Sequence, residues 1–140
     1  SIIVHGGIEN LKPVDIRTQV YPGFATDLQQ PLTTLLTQCQ GESQVVETIY
    51  PERFGHCYQL NSMGANIIQE EAMCFVNGPT PLHGTRVYAT DLRCGAALIV
   101  AGLMAKGQTV ITNIEFILRG YTDIIQKLHR LGADIEIVEE

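Results

Sequence analysis

Ala89-Thr90-Asp91-Leu92-Arg93-Cys94-Gly95 opens with the same four residues as the earlier Ala25-Thr26-Asp27-Leu28, at an offset of 64. Further matches follow in the same order. Gly41 and Arg53 recur as Gly107 and Arg119, both at offset 66. Met63-Gly64-Ala65-Asn66-Ile67 recurs as Leu131-Gly132-Ala133-Asp134-Ile135 at offset 68. Four ordered matches mark an internal repeat, and the drifting offset places short insertions in loops.

Each unit reads as strand, helix, strand, helix, strand. In the second unit the pattern predicts a strand over 85–88, with Thr90 as N-cap and Asp91 in the first helical turn. The helix should run to about Lys106, with Gly107 at its C′ position. A strand over 108–113, a helix over 120–130 and a strand over 134–138 complete the unit. In the first unit Leu28, Leu32, Leu35, Leu36 and Cys39 form an apolar stripe at helical spacing. Pro31 is tolerable there because it falls in the first turn. A strand over 43–50, a helix over 54–63 and a strand over 66–70 follow. Ile3-Val4-His5-Gly6 echoes Phe75-Val76-Asn77-Gly78. Residues 1–10 therefore read as the closing strand of an earlier unit, 11–78 as one repeat and 79–140 as the next. That echo, the abrupt start and the missing initiator Met predict a piece of a longer protein.

The stretch from Cys94 to Ala105 is apolar almost all round. A helix of that kind should be buried on every side. The predicted fold is therefore an inside-out α/β repeat, with helices buried and sheets outside.

Composition narrows the function classes. The chain has 140 residues, 45% hydrophobic and 17% charged, which excludes a disordered polymer. A net charge of -6 argues against nucleic acid or an anionic membrane as partner. No apolar run approaches the roughly 18 residues of a membrane span. Cys39, Cys57, Cys74 and Cys94 form no CxxC pair, and His5, His56, His83 and His129 show no metal spacing. Buried free thiols in a cytoplasmic protein are the expectation.

Asp27 and Asp91 both stand at helix starts, where a capping role and a chemical role remain open. Arg53 and Arg119 read as lying between a strand and a helix, and Arg93 lies in the first turn of the apolar helix. An arginine at a helix N-terminus opposes the macrodipole, so capping does not account for Arg93. The three arginines are either solvated surface residues or an anion site of guanidinium forks and helix N–H groups.

The second-unit string, continued by Arg119-Gly120-Tyr121, Lys127-Leu128 and Leu131-Gly132-Ala133, resembles the UDP-N-acetylglucosamine enolpyruvyl (1-carboxyvinyl) transferase family. So do Pro22-Gly23-Phe24-Ala25-Thr26-Asp27-Leu28-Gln29, Glu52-Arg53-Phe54 and Met63-Gly64-Ala65. The resemblance implies an inside-out α/β domain of three repeats, of which this chain supplies two. It implies transfer of enolpyruvyl from phosphoenolpyruvate to the 3-hydroxyl of UDP-N-acetylglucosamine, the first committed step of peptidoglycan synthesis, in the bacterial cytoplasm. Asp27 then corresponds to the carboxylate that holds the sugar hydroxyl, and Ile49 to a backbone contact with the nucleotide sugar. Asp91 corresponds to a second carboxylate, and Arg53, Arg93 and Arg119 to the arginines around the phosphoenolpyruvate anion. No metal or cofactor is implied. None of the four cysteines matches the family's reactive loop cysteine, and Leu118 stands where an Asp is expected. The implied activity belongs to the longer parent. The alternatives are a non-catalytic anion- or protein-binding repeat module of the same fold, or an enzyme of this fold acting on shikimate phosphate. Loss of a third repeat should expose the apolar flank of the first-unit helix and favour dimerisation.

Overall fold

The computed structural model describes residues 1–139. Two parallel strand pairs, one per unit, frame the molecule. In the first unit β1 (Ile16–Arg17) runs parallel to β2 (Gly41–Val46), joined through a 3-10 turn (Thr26–Leu28) and helix α1 (Gln29–Leu36). Helix α2 (Gly55–Ser62) leads to β3 (Asn66–Glu70) and β4 (Met73–Gly78), giving a four-stranded sheet of order β1-β2-β4-β3. In the second unit β5 (Arg86–Tyr88) runs parallel to β6 (Val110–Thr112), joined by α3 (Leu92–Met104). Helices α4 (Glu115–Gly120) and α5 (Ile124–Arg130) follow.

The repeat is visible in the backbone. The matched glycines Gly41 and Gly107, and Gly64 and Gly132, all take positive φ, a region costly to residues with a Cβ. Helix α1 packs on α3 between the sheets, with α1 touching β2 and β4 while α3 touches β6. Helices thus lie inside and sheets outside. The core runs through both units, from Leu36, Val45 and Leu60 to Val87, Leu98 and Ile117.

Several expectations are corrected. The N-cap of α3 is Asp91, whose Oδ1 accepts the N–H groups of Arg93 and Cys94, both at 2.9 Å; Thr90 precedes the cap. The helix ends at Met104, because Ala105 turns to extended backbone. The helix expected over 120–130 begins only at Ile124, after Asp123 at φ 53, and a separate helix, α4, precedes it and ends at Gly120. Residues 134–138 form no strand, since the second unit has no counterpart of β4 among the described residues to pair with. Ile3–Gly6 likewise runs irregularly, and Ile8–Asn10 is a single 3-10 turn.

The apolar stripe of α1 is only partly the buried face. Leu36 and Cys39 are buried, yet Leu28 and Leu35 are exposed. Gln29, Gln30, Thr33 and Thr34 are fully buried instead. Hydroxyls make this possible: Thr33 donates to Gln29 O at 2.8 Å and Thr34 to Gln30 O at 3.2 Å. Helix α3 is not buried on every side either: Leu92, Ala96 and Val100 are half-buried and Leu103 is exposed along one stripe.

Tight backbone approach fixes the second sheet. A Cβ on Gly84 would lie 2.1 Å from the carbonyl oxygen of Gln108, a backbone atom that cannot rotate away. Gly84→Ala is therefore expected to destabilise the fold by about 1–3 kcal/mol. The check is a urea titration: a lowered midpoint at unchanged slope supports the close approach, and an unchanged midpoint refutes it.

Candidate active site

The site forms at the carboxyl ends of the parallel strands. Beyond β1 the chain reaches Asp27, beyond β2 it reaches Ile49 and Arg53, and beyond β5 it reaches Asp91 and Arg93. Gly55 draws the two units together here, because a Cβ on it would sit 2.7 Å from Thr90 Oγ1. The N-termini of α2 and α3 consequently converge.

The duplicated aspartates have diverged. Asp91 is a helix cap. Asp27 caps nothing: the 3-10 turn and α1 both lack a side-chain cap. Its Oδ1 accepts from Arg93 Nε at 2.6 Å and from Arg53 Nη1 at 3.3 Å. The hydrogen-bonded Arg93 guanidinium holds the Asp27 carboxyl below its ordinary range; slight burial opposes this, and the charges of Arg93 and Arg53 add to the lowering. Reciprocally, Asp27 raises the pKa of Arg93 through that bond. The pair also answers the dipole problem, since Asp27 supplies the negative charge that an arginine at a helix N-terminus lacks.

Arg53 is fixed on three sides. It donates to Thr26 Oγ1 at 3.1 Å and to Asp27, and its guanidinium carbon lies 3.7 Å from the Tyr50 ring centroid. That is cation–π range. Ile49 lines an open cleft of about 580 Å³ with Gln19, Tyr21, Pro22 and Thr48. Its N–H is committed to Glu47 Oε1 at 3.0 Å.

Two site expectations change. Arg119 does not precede a helix; it lies in the last turn of α4, donating to Glu115 O at 3.4 Å with its guanidinium over Phe116. It makes no contact with the Asp27 cluster, although Gly120 beside it packs on Leu92 of α3. The N–H groups of Arg93 and Cys94 at the start of α3 are not free for an anion, because Asp91 accepts both. The Arg93 side chain is the charged group that α3 offers an anion.

Three buried groups were not singled out in the sequence. Glu47 is 1% exposed and accepts five hydrogen bonds. Gln30 is buried with both amide atoms unpartnered, and His56 is buried with Nδ1 unpartnered. The signal for Glu47 was its phase, since Ser43, Val45 and Glu47 alternate onto one buried face. Three of the buried thiols are held toward the neutral form. A hydrogen bond with Cys74 and burial push the Cys57 thiol far up, and burial raises Cys39 and Cys94. No group of three or more His, Cys, Asp or Glu among the described residues is placed to hold a metal. No helix among them is long and apolar enough to cross a membrane.

The chain is similar to proteins named as carboxyvinyl transferases. UDP-N-acetylglucosamine 1-carboxyvinyltransferase 2 of Streptococcus mutans is 62% identical over 132 residues, covering 94% of this chain and 32% of the relative. The Streptococcus thermophilus protein of the same name is 58% identical, covering 94% and 31%. The chain thus spans about a third of the length of these relatives. Among solved structures, the enolpyruvyl transferase NikO from Streptomyces tendae superposes with a TM-score of 0.83 at 34% identity, over 89% of this chain and 29% of that one. An EPSP synthase from Acinetobacter baumannii shares the fold at TM-score 0.53 and 20% identity, over 63% of this chain and 22% of its own. The sequence model of EPSP synthase (3-phosphoshikimate 1-carboxyvinyltransferase) matches residues 1–128. A match over that span, on a fold with helices inside and sheets outside, means that the chain belongs to the EPSP synthase family of enolpyruvyl transferases.

Proposed function

We propose that this chain is the corresponding third of an enzyme that transfers enolpyruvyl from phosphoenolpyruvate to the 3-hydroxyl of UDP-N-acetylglucosamine. The observation that carries the reading is the Asp27 carboxylate held between Arg93 and Arg53 at the strand ends. The identity to streptococcal enzymes named for this substrate supports the choice of sugar. In this reading residues 11–78 and 79–140 are two repeats of one three-repeat domain, working in the cytoplasm.

The chemistry follows from the groups. In the addition step the sugar hydroxyl oxygen bonds to C2 of phosphoenolpyruvate as its proton passes to Asp27, and Asp91 delivers a proton to the methylene carbon. In the elimination step that carbon loses a proton and phosphate departs, leaving the enolpyruvyl ether. Asp27 accepts the hydrogen bond of the attacking hydroxyl, a task that requires hydrogen-bond reach. Clamped by two guanidiniums, it is ionised but weakly basic. An incoming phosphate competes for Arg93 and Arg53, which loosens the clamp and raises the basicity of Asp27 when substrate is present. The arginines then stabilise the phosphate charge that develops as the bond breaks. Asp91 keeps Oδ2 clear of the capping bonds and serves as the second carboxylate. Ile49 offers its backbone carbonyl to the nucleotide sugar, its N–H being taken. Arg119 joins the anion site by exchanging Glu115 O for phosphate.

Phosphate release tests the reading. The 140-residue chain alone is expected to release none from phosphoenolpyruvate and UDP-N-acetylglucosamine. Joined to the remaining two thirds of the Streptococcus mutans relative, it is expected to turn over. Turnover by the chain alone, or by the joined protein only with shikimate 3-phosphate, would overturn the proposal.

A further inference from the structure

We infer that Glu47 is the positioning residue of this site: its buried carboxylate ties the Asp27 turn to the Arg53 loop and sets the distance between them. The inference rests on the enolpyruvyl-transfer reading for its kinetic consequence, though not for its geometry.

The carboxylate is reached from three parts of the chain. Oε1 accepts from Thr18 Oγ1 at 2.7 Å, Ile49 N–H at 3.0 Å and Tyr50 N–H at 3.2 Å. Oε2 accepts from Thr26 Oγ1 at 2.9 Å and Gln29 Nε2 at 3.4 Å. Every one of these partners is neutral. Three of them are also next to groups of the site. Thr26 precedes Asp27 in the chain and accepts from Arg53 Nη1. Tyr50 lies under the Arg53 guanidinium. Ile49 lines the cleft. These bonds also end β2 at Val46, four residues short of the strand expected over 43–50, because the loop N–H groups turn inward to Oε1.

The second unit shows what the fold itself needs at this place. Val46 pairs with Arg17 and Thr112 pairs with Tyr88, so Glu47 and Asn113 both directly follow the second parallel strand. Each reaches back to the residue after the first strand: Glu47 to Thr18, and Asn113 Nδ2 to Ala89 O at 2.7 Å. An amide therefore suffices to hold the two strand ends together. An ion buried for stability alone is commonly replaceable by uncharged groups without loss. What the carboxylate adds over the amide is the arms to Thr26, Gln29, Ile49 and Tyr50, and those arms lead to Asp27 and Arg53.

Glu47→Gln and Thr26→Val cut the same link from its two sides. Both are made in the joined full-length protein, alone and together. The positioning role predicts that E47Q lowers kcat/KM by about ten- to a hundredfold, the range for misplacing a reacting group from a distance. It predicts that the double variant is no worse than the more damaging single one, because the two residues act as one unit. It also predicts that the Asp27 carboxyl, followed by carbon NMR, titrates at higher pH in both variants as Arg53 is released. Additive losses of activity tracking the loss of folded protein, with the Asp27 titration unmoved, would overturn the inference. Should E47Q fail to fold, T26V alone decides it through the same titration. If the wild-type protein does not use UDP-N-acetylglucosamine, the functional reading falls, and the Asp27 titration still decides the role of Glu47.

Discussion

Asp27→Asn lowers kcat/KM of the joined full-length protein by about 10²–10⁴-fold, the loss typical of a group that handles a proton in the transition state. Stability stays nearly unchanged, because the Asp27 side chain is 63% exposed and caps no helix. Asp91→Ala supplies the contrast. It removes the cap that accepts from Arg93 N and Cys94 N, and should cost about 1 kcal/mol of stability. Steady-state kinetics and urea unfolding on both variants separate the two aspartates. A stability loss at Asp27 equal to that at Asp91 would return both to plain capping residues and remove the central support for the proposed chemistry.

Acidification from pH 7 to pH 5 weakens the fold by about 2 kcal/mol, at 1.36 kcal/mol per unit of pKa difference. The source is His56. It is fully buried, stacked at 6.1 Å on Phe54, and burial pushes its pKa from 6.5 down to about 3, with Asp91 opposing. The folded value lies below the unfolded one, so the unfolded chain binds the extra proton in acid. Stability is complete above about pH 6.5 and declines as pH falls toward 3. Glu47 and Asp27 are also depressed in the fold, yet their contribution is lost only below their ordinary values of 4.5 and 3.8. The interval between pH 7 and pH 5 thus isolates the histidine. Urea midpoints of wild type and His56→Leu across that interval are the measurement. A wild-type slope that the substitution fails to flatten would show that His56 is not the sensor.

Much of the architecture was legible because it rested on repeats and on periodicity. The Ala-Thr-Asp-Leu pair located both crossover helices, and the pairs Gly41/Gly107 and Gly64/Gly132 marked real left-handed turns. Strand β3 matched its expected span from residue 66 to 70. What was not legible depended on partners distant in sequence. Thr33 and Thr34 lie off the expected apolar stripe and are buried because α3 packs over them, with Thr34 reaching Ala97 O at 3.4 Å. Residues 134–138 alternate like a strand, but alternation does not provide a neighbour to bond. At the site, Arg93 drew notice because it contradicts the helix dipole. Its answer, the carboxylate of Asp27, lies 66 residues away and could only be found in space. Arg119 differs for the converse reason: its match to Arg53 holds in the sequence register, but it stands in the last turn of α4 rather than between a strand and a helix.

The two sheets are unequal, and this bears on how the molecule breathes. β4 lies between β2 and β3 from Met73 to Asn77, so the first sheet should open only with the whole unit. The second sheet is three residues by two strands. It belongs to the low-stability end of the molecule, where partial opening precedes global unfolding. Arg93 rides on the helix joined to that softer sheet, while Asp27 and Arg53 stand on the firmer one. The clamp on the carboxylate therefore joins a residue carried by the smaller sheet's helix to two residues standing on the larger sheet.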